Sequence, residues 1–275
     1  MKKNIFILFI FICCATLVSG QIEKMNWKGM KLKGKVKSIS EKEYKAVEKK
    51  GEVQKGERTR FNTINFFNDK GNLIEVNLYH TSGSLFFKYA FKYDGNGNMI
   101  EKNSNNSNRS LSYKDTYKYD SNGNMIESNF SDLIRGIDGK YTYKYDSNSN
   151  MIEEDWSGMG IDRFYRETNT YKYDSNGYMV EKNSYVHYKY DSNGNMIEKK
   201  SYGKDGNLLE KNTYKYDNND NVIVEGLYES YDLDDIITTT VKYTYAYDKN
   251  LNWIKKISFK NDNPLSITER VIVYF

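Results

Sequence analysis

The sequence predicts an all-β protein: a long antiparallel meander of repeated hairpins, about 16–18 strands in all. The sheet is expected to twist and curve, curling into a shell segment or an open barrel. Three observations predict this. A Tyr-Lys-Tyr-Asp unit recurs along most of the chain. An Asn-Gly or similar turn follows nearly every copy, and an apolar pair with Glu follows the turn. The stretch from Tyr188 to Tyr214, YKYDSNGNMIEKKSYGKDGNLLEKNTY, is the cleanest example.

Each unit reads as strand, tight turn, strand. Asn-Gly between β-prone runs signals a hairpin, because a type I′ turn needs φ > 0 at both central residues. With Asn193-Gly194 as a two-residue loop, Tyr190 is expected opposite Ile197 and Lys189 opposite Glu198. The same register sets Tyr119 against Ile126 and Lys118 against Glu127. Aromatic–β-branched and opposite-charge pairs are favourable cross-strand neighbours. A three-residue loop with a bulge would set Lys opposite Ile, so the two-residue loop is the expectation.

The chain opens on a targeting segment, residues 1–20: Lys2 and Lys3, an apolar run from Ile5 to Val18, and a small-residue cleavage site at Val18-Ser19-Gly20. The apolar run is short for a membrane span. Residues 21–33 form a short lead with Trp27, and residues 34–275 a single repetitive β-hairpin domain. Lys35 to Ala46 reads as a polar first strand, and Arg58 to Phe67 as a return strand after a loop. The repeat then takes over, with its Asp position filled by Asn68, Asp94, Asp120, Asp146, Asp174, Asp191, Asp217 and Asp248. The successive steps are 26, 26, 26, 28, 17, 26 and 31 residues, a period that marks a repeat architecture. The step of 17 marks a unit shortened near Asn183 to Val186. Short turns gather on one rim, and variable connections on the other. Leu251 replaces Gly in the last short turn and fits φ > 0 poorly, so that turn is expected to be altered.

Both cysteines, Cys13 and Cys14, lie in the leader, leaving no thiol chemistry after its removal. Removing Lys2 and Lys3 as well leaves 41 − 2 = 39 basic against 37 acidic residues, a net +2. That balance gives no electrostatic footprint for nucleic acid. Asp120-x-Asn122-x-Asn124 resembles the start of a calcium loop, but Gly and Glu are missing where such a loop needs them. Neither His80 nor His187 has a partner at metal-ligand spacing, and no nucleophile motif is present. No cofactor, metal or catalytic residue is therefore expected, and the reading is non-enzymatic. Lys199 and Ser201 interrupt the repeated apolar face, which argues against a lipid-facing barrel and for no membrane span once the leader is removed.

The motifs YDGNGNM, YDSNGNM and YDSNGYM resemble the YD-repeat (RHS-type) family of secreted and cell-surface proteins, over roughly residues 61–255. The resemblance implies hairpins wound into a shell-like sheet, and in some members carbohydrate binding. The expected role is a secreted or cell-surface scaffold that binds a polysaccharide or a surface protein through its variable rim. The alternatives are a purely structural or adhesive surface element, a glycan-active enzyme, and an outer-membrane barrel. Candidate contact residues are Trp156, which breaks the pattern inside a Gly-rich loop of the variable rim, Trp-Ser-Gly-Met-Gly, and the acidic Asp232, Asp234 and Asp235.

Overall fold

The structure is a computed structural model and describes residues 25–59, 62–106, 110–159, 164–232 and 235–275. It contains β1 (Val36–Lys49), β2 (Glu52–Arg58), β3 (Asn62–Phe67), β4 (Leu73–Tyr79), β5 (Leu85–Tyr93), β6 (Met99–Asn106) and β7 (Leu111–Tyr119). There follow β8 (Met125–Asp132), β9 (Ile137–Tyr145), β10 (Met151–Met159), β11 (Phe164–Tyr173), β12 (Met179–Lys182) and β13 (Val186–Tyr190). The last six are β14 (Met196–Tyr202), β15 (Leu208–Tyr216), β16 (Val222–Asp232), β17 (Asp235–Tyr247), β18 (Trp253–Lys260) and β19 (Asn263–Tyr274). From β3 to β19 each strand pairs antiparallel with the next.

The meander closes. One edge of β1 pairs with β19, from Val36↔Tyr274 to Lys45↔Ser266. Its other edge pairs with β3 over Ser38↔Phe66 to Glu41↔Thr63, and with β2 over Tyr44↔Arg58 to Lys49↔Glu52. Because β2 and β3 share that edge, the 19 strands make an 18-strand barrel. An even number of alternating strands lets the first and last meet antiparallel, and closure removes both sheet edges. The sequence expectation of a shell segment or open barrel thus resolves as a closed one.

The short turns correct the expected register. In the turn after β7, Asp120 N–H donates to Asn124 O at 2.9 Å and Gly123 N–H to Asp120 O at 3.1 Å. Gly123 takes φ +82°, while Ser121 and Asn122 stay at negative φ. This is a type I turn followed by a left-handed residue, a three-residue loop, not the two-residue type I′ form. A second irregularity follows one pair later: Tyr119 faces Met125, and Lys118 still faces Glu127. The two offsets cancel at the Lys/Glu pair. The expected Lys118–Glu127 pairing therefore holds, and the expected Tyr119–Ile126 pairing does not. Tyr93↔Met99, Tyr145↔Met151, Tyr173↔Met179 and Tyr190↔Met196 repeat the pattern. The inner face is built of Tyr and Met, and the Ile of each unit is thrown outward. Two-residue loops with consecutive positive φ occur on the variable rim instead, at Asn183-Ser184 and Asn261-Asp262.

The Asp of each unit organises its own turn. Asp120 Oδ1 accepts from the backbone N–H of Asn122 and Asn124 at 2.9 and 2.8 Å, and its Oδ2 from the Asn124 side chain at 3.0 Å. These local bonds engage both carboxylate oxygens, so the Asp-x-Asn-x-Asn pattern is turn chemistry. The last turn is retained, with Leu251 at φ 62° and its N–H on Asp248 O at 3.0 Å.

In five units the tyrosine before the Asp ties its hairpin to the preceding one, while the Tyr190 hydroxyl is buried without a partner. Tyr93 OH donates to Leu73 O at 2.7 Å, and Tyr119 OH to Met99 O at 2.7 Å. Tyr145 OH donates to Met125 O at 2.7 Å, and Tyr216 OH to Met196 O at 2.6 Å. Outside, Glu127 bridges Lys118 at 2.8 Å and Lys140 at 2.6 Å, and Glu101 pairs with Lys92 at 2.7 Å and Lys114 at 3.2 Å. These exposed pairs each contribute little to stability but fix the register across neighbouring hairpins. They also make the outer wall polar at mid-strand, where a lipid-facing Lys would cost about 2–4 kcal/mol.

The lead lies across the short-turn mouth. Trp27 N–H donates to Gly71 O at 3.0 Å and Leu73 N–H to Met25 O at 2.8 Å on one side. On the other side Lys33 N–H donates to Asn252 Oδ1 at 2.8 Å and Lys31 Nζ to Asp220 O at 3.1 Å. Met25, Trp27, Met30 and Leu32 pack on the buried cluster that contains Val36, Ile39, Phe67 and Leu73. The lead therefore bridges the seam between the first and last hairpins.

Candidate functional site

A chamber of about 550 Å³ lies on the inner wall of β6–β10. It runs from Met99 and Met125 beside the short turns to Phe130 and Gly139 towards the variable rim. Its wall carries five aromatic rings, those of Tyr117, Tyr141, Tyr143, Phe130 and Trp156. Alternation along each strand puts these rings inward and the Lys/Glu ladder outward. Tyr141 and Tyr143 stack with ring centroids 6.3 Å apart, and Tyr141 meets Trp156 at 6.4 Å. Burial pushes the phenols of Tyr117 and Tyr143 well up, so they stay protonated.

Two carboxylates face the chamber. Glu154 is 5 % exposed. Its Oε1 accepts from Asn169 Nδ2 at 3.2 Å, and its Oε2 has no hydrogen-bond partner. Burial raises its pKa above the usual carboxylate value. Asp115 Oδ2 pairs with Lys102 Nζ at 2.9 Å and Oδ1 has no partner. Among the described residues no three His, Cys, Asp or Glu side chains gather to hold a metal ion.

Trp156 is not in a loop, as its Ser-Gly-Met-Gly context suggested. It sits in β10, opposite Tyr141 on one side and Glu167 on the other, as part of the chamber wall. The glycines make room for its ring. A Cβ on Gly158 would meet Asp138 O at 2.9 Å and Trp156 Cζ2 at 3.0 Å, and one on Gly139 would meet Trp156 Nε1 at 3.1 Å. The glycines that read as loop are a packing requirement inside a strand. Asp232 and Asp235 face each other where β16 and β17 meet on the variable rim, which keeps them far along the chain from the chamber-wall strands. Their side chains, and all of Asp234, lie outside the described residues, as does the leader. His80 packs on Phe86 at 4.7 Å and His187 on Tyr202 at 5.4 Å.

Sequence reasoning missed Glu154 as a residue of the inner wall. The signal was present at one position of the repeat, the residue after the outward Glu. It reads Lys102, Ser128, Glu154, Lys182 and Lys199 in successive units, so the inner wall carries Glu where other units carry Lys or Ser.

Two adjacent hairpin tips on the variable rim expose apolar side chains. Leu133 and Ile134 stand between β8 and β9, 54 % and 64 % exposed, and Met159 and Phe164 at the ends of β10 and β11, 57 % and 61 % exposed.

The Teneurin YD-shell family matches residues 16–233. The chain belongs to that family. It is accordingly a shell-type β scaffold, and the YD hairpin is its repeating unit. No curated protein matches the chain. Among solved structures it is similar to the Photorhabdus luminescens Tc holotoxin pore, with 13 % identity, a TM-score of 0.42, and 74 % of this chain and 12 % of that chain covered. It is also similar to the TcdB2-TccC3-Cdc42 structure, with 13 % identity, a TM-score of 0.43, and 86 % and 14 % covered. A porin-like protein from Bacteroides uniformis shares 11 % identity at a TM-score of 0.31, with 86 % and 98 % covered. The chain thus spans about one eighth of the length of the Tc proteins it matches, 12–14 %.

Proposed function

We propose that this YD-shell protein is an exported, non-catalytic scaffold that binds a protein or carbohydrate partner through its variable rim. The observation that carries the reading is the contrast between wall and rim. The outer wall is a regular ladder of Lys/Glu pairs, whereas Leu133, Ile134, Met159 and Phe164 stand exposed on neighbouring hairpin tips. Contiguous exposed apolar side chains ringed by polar ones mark interaction surfaces. A rigid sheet with variation confined to one rim is also the usual arrangement of binding loops. Export is supported by the basic, apolar and small-residue order of residues 1–20.

The test is a glycan array and a cross-linking pull-down from intact cells, run with the wild-type chain and with Leu133→Ser/Ile134→Ser/Phe164→Ser. The reading expects a specific glycan or surface protein to be retained by the wild type and lost by the triple variant. Equal retention by both would overturn the rim assignment. No retention by either would favour a purely structural surface element.

A further inference from the structure

Two carboxylates on the chamber wall each keep one oxygen without a hydrogen-bond partner. Glu154 Oε2 and Asp115 Oδ1 are buried carboxylate oxygens without partners. A buried carboxylate is costly unless a cation or several donors meet it. Asp115 has Lys102 on its other oxygen, but no ion pair reaches Glu154 among the described residues. Lys182, whose ammonium lies over the Tyr171 ring at 5.5 Å, partly balances its charge, and the Glu167 carboxylate opposes this.

The same barrel shows how such an arrangement is completed. At the seam, the Arg270 guanidinium lies 3.3 Å from the centre of the Trp253 ring and 2.8 Å from Glu41. Ring face, carboxylate and cation all come from the chain there. In the chamber the stacked rings of Tyr141 and Tyr143 share the wall with the Glu154 carboxylate, while Lys102 on the same wall is held by Asp115. The geometry points to a binding site for an organic cation, a primary ammonium or guanidinium group on a small molecule, seated against these rings with its charge beside the Glu154 carboxylate.

Three features select this ligand class. A carboxylate and an aromatic face together hold a cation by charge and by the ring quadrupole. A hard metal ion needs a larger set of oxygen ligands, and no cluster of three acidic or imidazole groups is present among the described residues. A neutral sugar brings no charge to a buried carboxylate, and the unpartnered atoms on this wall are the carboxylate oxygens of Glu154 and Asp115. The volume, about 550 Å³, is in the range of small-molecule sites. The inference rests on the lumen and not on the rim, so the two stand or fall separately.

The experiment is isothermal titration calorimetry of the full chain with cadaverine, arginine methyl ester and, as the neutral probe, maltotriose. At least one cation is expected to bind with a sub-millimolar Kd, and maltotriose is not. Glu154→Gln, which keeps the side-chain shape, should weaken cation binding by about tenfold or more. The rim variant Leu133→Ser/Ile134→Ser should leave it unchanged. If Glu154→Gln does not fold by circular dichroism, Trp156→Leu takes its place with the same expected loss. Absence of binding by both cations, binding of maltotriose alone, or unchanged affinity in the folded chamber variant would overturn the inference.

Discussion

Replacing Met125 by Ala should damage the barrel far more than replacing its neighbour Ile126. The two residues are adjacent, apolar and similar in size, and the sequence alone favours Ile126 as the buried partner of Tyr119. The structure reverses them: Met125 is 6 % exposed and faces Tyr119, while Ile126 is 40 % exposed on the outer wall. Met125 belongs to a buried cluster with Tyr143, Met151 and Tyr171 beside the chamber, so truncation strips packing from these neighbours and widens the space next to them. Core Met→Ala changes cost about 2–5 kcal/mol, and this site should fall in the middle of that range. Ile126→Ala removes methyls that already touch water, and its cost should be about 1 kcal/mol or less. Urea unfolding followed by far-ultraviolet circular dichroism and by tryptophan fluorescence measures both variants against the wild type. The midpoint should drop clearly for Met125→Ala and barely for Ile126→Ala. An equal loss, or a larger one for Ile126→Ala, would refute the assigned register.

Three further outcomes follow from the same structure. Leu251→Gly should raise the thermal midpoint, because Leu251 is 53 % exposed at φ 62° and left-handed backbone costs a branched residue about 1–2 kcal/mol, only partly offset by glycine entropy. Tyr119→Phe should cost about 1 kcal/mol in urea unfolding, since it removes the 2.7 Å bond to Met99 O that ties two hairpins together. Acid should weaken the fold in a defined window. Hydrogen bonds from Lys92 and Lys118 hold Glu101 and Glu127 down at about 2, from 4.5. Backbone N–H groups, first that of Asn98, hold Asp94 below its ordinary value. These depressed groups contribute stability that is complete above the unfolded values and is lost as pH falls through the folded ones. The urea midpoint should therefore hold down to about pH 5 and fall between about pH 4.5 and 2. A midpoint that is flat across that window would count against the Lys/Glu ladder.

Much of the fold was legible because the repeat states it eight times. Asp120 and its equivalents announce the turn, and Lys118 and Glu127 announce the pairing. The buried partner of Tyr119 was not legible, because a loop one residue longer and a bulge one pair later leave the Lys/Glu register unchanged. Only the face of Ile126 and Met125 distinguishes the two solutions, and both residues are apolar. Closure was not legible either. It depends on β19 meeting β1, and β1, with Ser38, Ser40 and Glu41, carries no trace of the YD pattern that would name its neighbour. The chamber hid for a related reason. Glu154 follows the outward Glu153 and reads as a second ladder acid until the bulge is known, and Trp156 reads as loop because of the glycines that make space for its ring.

Closure of the ring is the central claim, and amide hydrogen exchange at the seam tests it most directly. In the closed barrel, β1 and β19 each have neighbours on both edges, and Phe275 N–H donates to Lys35 O at 2.9 Å where they end. Peptides spanning Val36–Tyr44 and Ile267–Tyr274 should be protected as strongly as those from interior hairpins such as β7–β8. Fast exchange confined to those two segments, with the interior hairpins protected, would show an open sheet with two free edges and would contradict the account.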